Sequence, residues 1–111
     1  MVDACEAKGV RLAVSHGRRW AEAYIELRKL LAGGVIGELC HFFGVFGGGM
    51  YACNGSHVLD LMSMLSGSAP VSVTGTVDAN TKPNPRGAQF RDPGCLVQVR
   101  FACGMRATLD C

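Results

Sequence analysis

The clearest alternation lies toward the end of the chain. Cys95, Val97, Val99, Phe101 and Cys103 fall on one side of Gln98 and Arg100, and beyond Gly104 the residues Met105, Ala107, Leu109 and Cys111 alternate with Arg106, Thr108 and Asp110. Successive strand side chains point to opposite faces, so these runs predict an antiparallel hairpin lying on a core, with three cysteines among the core side chains. A period of two also runs from Pro70 to Ala79, where Val71, Val73, Val77 and Ala79 alternate with Ser72, Thr74, Thr76 and Asp78, predicting a strand with one wet face. Leu39 to Phe46 is apolar on both alternating faces apart from His41, which predicts a strand covered on both sides. Val10 to Ser15 alternates as well and reads as a further strand.

Helical periods fill the intervals. Val2 to Lys8 reads as the tail of a helix closed by a left-handed Gly9. Between Trp20 and Ala32 the residues Tyr24, Leu27 and Leu31 recur at three- and four-residue steps opposite Glu22, Glu26 and Lys29, predicting an amphipathic helix that stops at Gly33-Gly34. After the loop Gly47-Gly48-Gly49, Asn54 or Ser56 is placed to cap a helix from about His57 to Leu65 ended by Gly67. Asn80 to Gly94 holds three of the four prolines and reads as a long loop whose Arg86, Arg91 and Asp92 are expected to be solvated. The order predicts an α/β (α+β) layout with a mixed, largely antiparallel sheet and helices on one face. A helix tail and strand at the start fit the end of a preceding βαβ unit.

Composition narrows the classes. A chain of 111 residues, 49% hydrophobic and 18% charged, is expected to fold around one core and is too short for a nucleotide domain plus a substrate domain. Eleven basic residues against nine acidic ones form no basic stripe, so nucleic acid is not an expected partner. No apolar run approaches the roughly 18 residues of a membrane span, and the first residues do not resemble a secretory signal, so the expected location is cytoplasmic. The six cysteines contain no CxxC pair. Free thiols are therefore preferred over a disulfide framework, and a metal site ranks last among the readings.

Several stretches in order resemble the Gfo/Idh/MocA family of NAD(P)-dependent oxidoreductases, which act on sugars, cyclitols and related polyols. They are Ala7-Lys8-Gly9-Val10, Val14 to Trp20, Leu30 to Glu38 with its Gly-Val-Ile-Gly-Glu turn, and Gly47-Gly48-Gly49 followed by Gly55-Ser56-His57-Val58-Leu59-Asp60-Leu61, Gly67 and Pro70-Val71. The resemblance implies that residues 1–18 are the tail of a Rossmann-like nucleotide domain. Residues 19–111 then form part of the C-terminal substrate, catalytic and oligomerisation domain. It also implies NAD or NADP as cofactor of a full-length parent. No G-x-G-x-x-G occurs here, so no cofactor is expected to bind this chain tightly and the chain alone is not expected to catalyse. Lys82-Pro83 follows Thr81 and does not match the family's Glu-Lys-Pro motif.

By the same resemblance His57 falls on the family's catalytic histidine. The first turn of a helix favours a neutral imidazole, which can accept a hydroxyl proton from a sugar or polyol substrate. Cys53 stands where many members carry aspartate, and a thiol orients an imidazole poorly. Asn54 is a candidate for a substrate hydroxyl or for a cap, and Arg19 matches an arginine at the domain crossover near the nicotinamide. Arg19 and Cys53 join Asn54 as candidate substrate-binding residues, and Asp60 shares the helical face of His57. His16 and His41 have no functional match and are expected to be structural. The alternative is a non-enzymatic sugar-binding or dimerisation module, a homo-oligomer formed through the open sheet face.

Overall fold

The computed structural model describes residues 1–47, 50–78, 84, 86–87 and 89–111. Its centre is the predicted hairpin, β3 (Cys95–Phe101) and β4 (Arg106–Asp110), with Val97 opposite Leu109 and Val99 opposite Ala107. β2 (Pro70–Val77) pairs antiparallel with β3. β1 (His41–Val45) pairs parallel with β4 at the other edge, which makes the sheet mixed with strand order β1-β4-β3-β2. Burial along β3 alternates at every residue, the signature of a strand with one face on a core.

That face is covered by α3 (Ser56–Ser66), which contributes Val58 and Met62 to a cluster with Val97, Val99, Ala107 and Leu109. Met62, Met105 and Leu109 are the largest fully enclosed side chains, each contributing roughly 1.5–3 kcal/mol by leaving water. Leu61, Met64 and Leu65 sit on the next stripe of α3 and meet Tyr24 and Leu31 of α2 (Glu22–Ala32), together with Phe42. α3 ends where Gly67 takes φ 63°, a left-handed conformation that a residue with a Cβ adopts at a cost. α1 (Val2–Ala7) lies at the start, a six-residue helix followed by left-handed Gly9, and it buries none of its residues.

The structure corrects four expectations. Residues 10–15 form no strand: a strand needs a neighbouring ladder for its N–H and C=O groups, none is offered among the described residues, and Val10 and Val14 stand exposed. The stretch from Leu39 to Phe46 is covered on one side only. Phe42 packs on the core, but Phe43 and Val45 are each 64% exposed on the face away from α3, which no layer of the described residues covers. β2 is open on both faces rather than one, with Val71, Val73 and Val77 all exposed. It is one of the two edge strands, and the core cluster draws on α3, β3 and β4 but not on it. Cys95 is buried and Cys111 half-buried against the core, whereas Cys103 is exposed because it lies in the turn of the hairpin. Ala79, Lys82 and Pro83, and most of the run from Asn80 to Pro85, lie outside the described residues.

Candidate functional site

His57 and Asp60 are three residues apart on α3, so the helical repeat sets them on one face. A short 3₁₀ turn, Gly17–Trp20, brings His16 and Arg19 against that face. Arg19 grips the Asp60 carboxylate with a two-pronged bond, Nε donating to Oδ2 at 2.6 Å and Nη2 to Oδ1 at 2.7 Å. This fork holds the Asp60 carboxyl below the usual carboxylate range, with burial acting in the opposite direction, and raises the Arg19 guanidinium in return. His16 Nδ1 stands 4.0 Å from Asp60 Oδ2. The His16 and His57 rings meet edge to face, their centroids 5.2 Å apart and their planes 77° from parallel. Nδ1 of each ring is buried without a hydrogen-bond partner among the described residues.

The segment leading into α3 is a π-helical turn, Tyr51–Gly55, in place of a capped helix start. Asn54 and Ser56 do not cap α3 as expected: Asn54 donates its backbone N–H to Met50 O at 2.7 Å, and the Ser56 hydroxyl donates to Cys53 O at 3.2 Å. The free N–H groups of the turn are met from far along the chain. Asp92 Oδ1 accepts from the Ala52 N–H at 2.6 Å and Oδ2 from the Cys53 N–H at 2.9 Å, while the N–H groups of Met50 and Tyr51 donate to the carbonyls of Asp92 and Pro93. Asp92 is therefore a cap supplied from a distant part of the same chain, not a solvated loop charge. The close fit of the turn explains Gly55, since a Cβ there would come within 2.5 Å of the Tyr51 ring. Met50, just ahead, is the one residue other than glycine at positive φ among those described, φ 65°.

Two patches result. One joins Arg19, Asp60, His16 and His57. In the other the Cys53 sulfur accepts a hydrogen bond from Arg86 Nη2 at 3.1 Å, beside the Asp92 cap. Cys53 and Asn54 precede His57 by one turn, but the Cys53 thiol is bound by Arg86 and its N–H by Asp92. Arg19, read from the sequence as a substrate contact, is committed to Asp60. His16, read as structural, proves to be the ring neighbour of His57. Gly48 and Gly49 of the preceding loop lie outside the described residues. A cleft of about 410 Å³ beside Arg19 is lined by Arg28, Ser63, Met64 and Pro70, and His57 is not part of it. Among the described residues no group of three or more His, Cys, Asp or Glu is placed to hold a metal ion, and no helix is long and apolar enough to cross a membrane.

No protein-family model and no curated protein sequence matches the chain. Solved structures do match it. A protein assigned as a myo-inositol dehydrogenase from Sinorhizobium meliloti superposes with a TM-score of 0.69 at 23% identity, over 98% of this chain and 37% of that one. The fold is that of the C-terminal domain of Gfo/Idh/MocA-type oxidoreductases. An NAD-binding protein from Listeria innocua matches at TM-score 0.70 and 22% identity, over 98% of this chain and 34% of that one. The super-repressor mutant of Gal80p from Saccharomyces cerevisiae matches at TM-score 0.73 and 17% identity, over 97% of this chain and 36% of its own. The chain thus spans about a third of each of these proteins, and at such identities the likeness is one of fold.

Proposed function

We propose that this chain is the substrate side of an NAD(P)-dependent oxidoreductase acting on a sugar or cyclitol-like polyol, with His57 as the group that takes or returns the hydroxyl proton. The observation that carries the reading is the placement of His57 in the first turn of α3, beside a carboxylate already neutralised by Arg19. An imidazole there can exchange a proton with a substrate hydroxyl without competing for it with a free carboxylate. The fold likeness to a protein assigned as an inositol dehydrogenase supports the substrate class.

The turn ahead of α3 does not suit a dinucleotide. Pyrophosphate binds where a helix start offers free N–H groups, and the turn before α3 has its Ala52 and Cys53 N–H groups filled by Asp92. The nicotinamide, which would supply the hydride chemistry, is therefore assigned to a nucleotide-binding segment joined to this chain, and residues 1–18 are read as the tail of that domain. Asn54 and Cys53 remain candidates for substrate contact from the turn ahead of His57. Two measurements test the assignment. Titration calorimetry of this chain with NADH and NADPH is expected to show no tight binding, and tight binding would overturn it. The same chain joined to a nucleotide-binding segment is expected to reduce NAD(P) with a polyol from a panel of sugars and cyclitols, and inertness toward all of them would count against the substrate class.

A second reading, a non-enzymatic binding or dimerisation module, is favoured by the face of the sheet away from α3. Phe43 and Val45 stand open there, Leu96 is exposed on the same face two strands away across β4, and the fold is shared with a super-repressor mutant. A concentration-independent monomer in sedimentation would remove the dimerisation part of that reading.

A further inference from the structure

We propose that His16 is a positioning residue for His57, holding its imidazole in one orientation through ring contact. The inference rests on the reading of His57 as the proton-handling group. A side chain in the first turn of a helix has two accessible χ1 wells, and each aims the ring in a different direction. An imidazole is ordinarily fixed by a hydrogen bond from one ring nitrogen to a carboxylate or carbonyl. His57 lacks that device: its Nδ1 is buried with no partner among the described residues, and both oxygens of the carboxylate on its own helical face are engaged by Arg19. What touches the ring instead is His16, edge to face at 5.2 Å, an arrangement that aromatic quadrupoles favour and that one ring orientation satisfies.

His16 is itself anchored. Its carbonyl accepts the N–H of Arg19 at 3.0 Å, and the Arg19 side chain is bound to Asp60, one helical turn from His57. The contacts thus form a closed ring that leaves α3 at Asp60, passes through Arg19 and His16, and returns to α3 at His57. Each member limits the movement of the next. The backbone ahead of His16 contributes little to this, since residues 10–15 form no strand.

The test is nuclear magnetic resonance of the histidine side chains in this 111-residue chain. The native chain is expected to show one χ1 rotamer for His57 and ring protons shifted by the His16 ring. His16→Ala removes the contact and is expected to average the rotamers and abolish the shift, whereas His16→Phe keeps a ring in place and is expected to preserve both. His16→Gln drops the ring while keeping polarity, and repeats the test should the alanine variant fail to fold. An unchanged His57 in the ringless variants would overturn the proposal, as would averaging in His16→Phe equal to that in His16→Ala. In an active protein containing this chain, His16→Ala is expected to lower kcat about tenfold or more with little change in KM, and His16→Phe to restore it. Rotamer averaging with kcat unchanged would instead leave the positioning intact and remove the catalytic reading of His57.

Discussion

The two ends of this chain obey different rules. Residues 95–110 alternate in sequence and alternate in burial, with Val97, Val99, Phe101, Ala107 and Leu109 all inside. Residues 10–15 alternate too, yet they form no strand and leave Val10 and Val14 in solvent. α2, in the same half of the chain, nevertheless forms as its pattern predicts. The difference lies in where the backbone hydrogen bonds go. A helix satisfies its own, whereas a strand depends on a neighbour. His16, Arg19, His57 and Asp60 sit where the loosely held half meets the packed half.

The contrast can be broken most sharply by truncation in each half. Leu109→Ala is expected to cost about 2–5 kcal/mol of unfolding free energy, because the site is fully enclosed between α3 and the sheet, while Val14→Ala should cost less than about 0.5 kcal/mol. Urea unfolding measures both, and equal effects would refute the division. Asp92→Ala removes two charged hydrogen bonds to the turn before α3 and is expected to cost about 2 kcal/mol, visible as early loss of structure at Ala52 and Cys53 in amide exchange.

Acid and base probe the same two regions. In the packed half, burial and the neighbouring Cys111 sulfur at 3.5 Å push the Cys95 thiol up to about 12 from an ordinary 9.0. Between those values the unfolded chain gives up a proton that the folded chain keeps, so stability must fall as pH rises above about 9, by about 1 kcal/mol at pH 10. Cys95→Ala should flatten that slope. At the junction, the lowered Asp60 carboxyl contributes stability that is present above its ordinary value of 3.8 and is lost as pH falls through the folded one. Because Arg19 is 41% exposed, Asp60→Asn is expected to cost only about 0.5–1 kcal/mol at neutral pH and to remove the acid-side loss.

Much of the fold was legible because the period near 3.6 in α3 and the period of two in β3 and β4 correspond to burial; α2, β1 and β2 also form where those periods run, although α2 and β2 bury none of their residues. Exposure was less legible. Nothing local to Phe43 or Val73 distinguishes a side chain under a helix from one on an open face, since that depends on which strand is at the edge and how far α3 reaches. For the site, the spacing of His57 and Asp60 was readable from helical geometry. The pairing of Arg19 with Asp60, 41 residues apart, and of Asp92 with Ala52, 40 apart, was not, because each is made by tertiary approach. The signal for Asp92 was its place just before Pro93 in a loop that must return to β3.

The measurement that bears most directly on the site is turnover by a protein that joins this chain to a nucleotide-binding segment, compared between native and His57→Ala forms. A loss of about 100-fold or more in kcat, with nucleotide affinity unchanged, is the predicted result, in line with the usual contribution of a positioned acid/base. A kcat within about twofold of native would contradict it, because a positioned acid/base normally contributes far more than that.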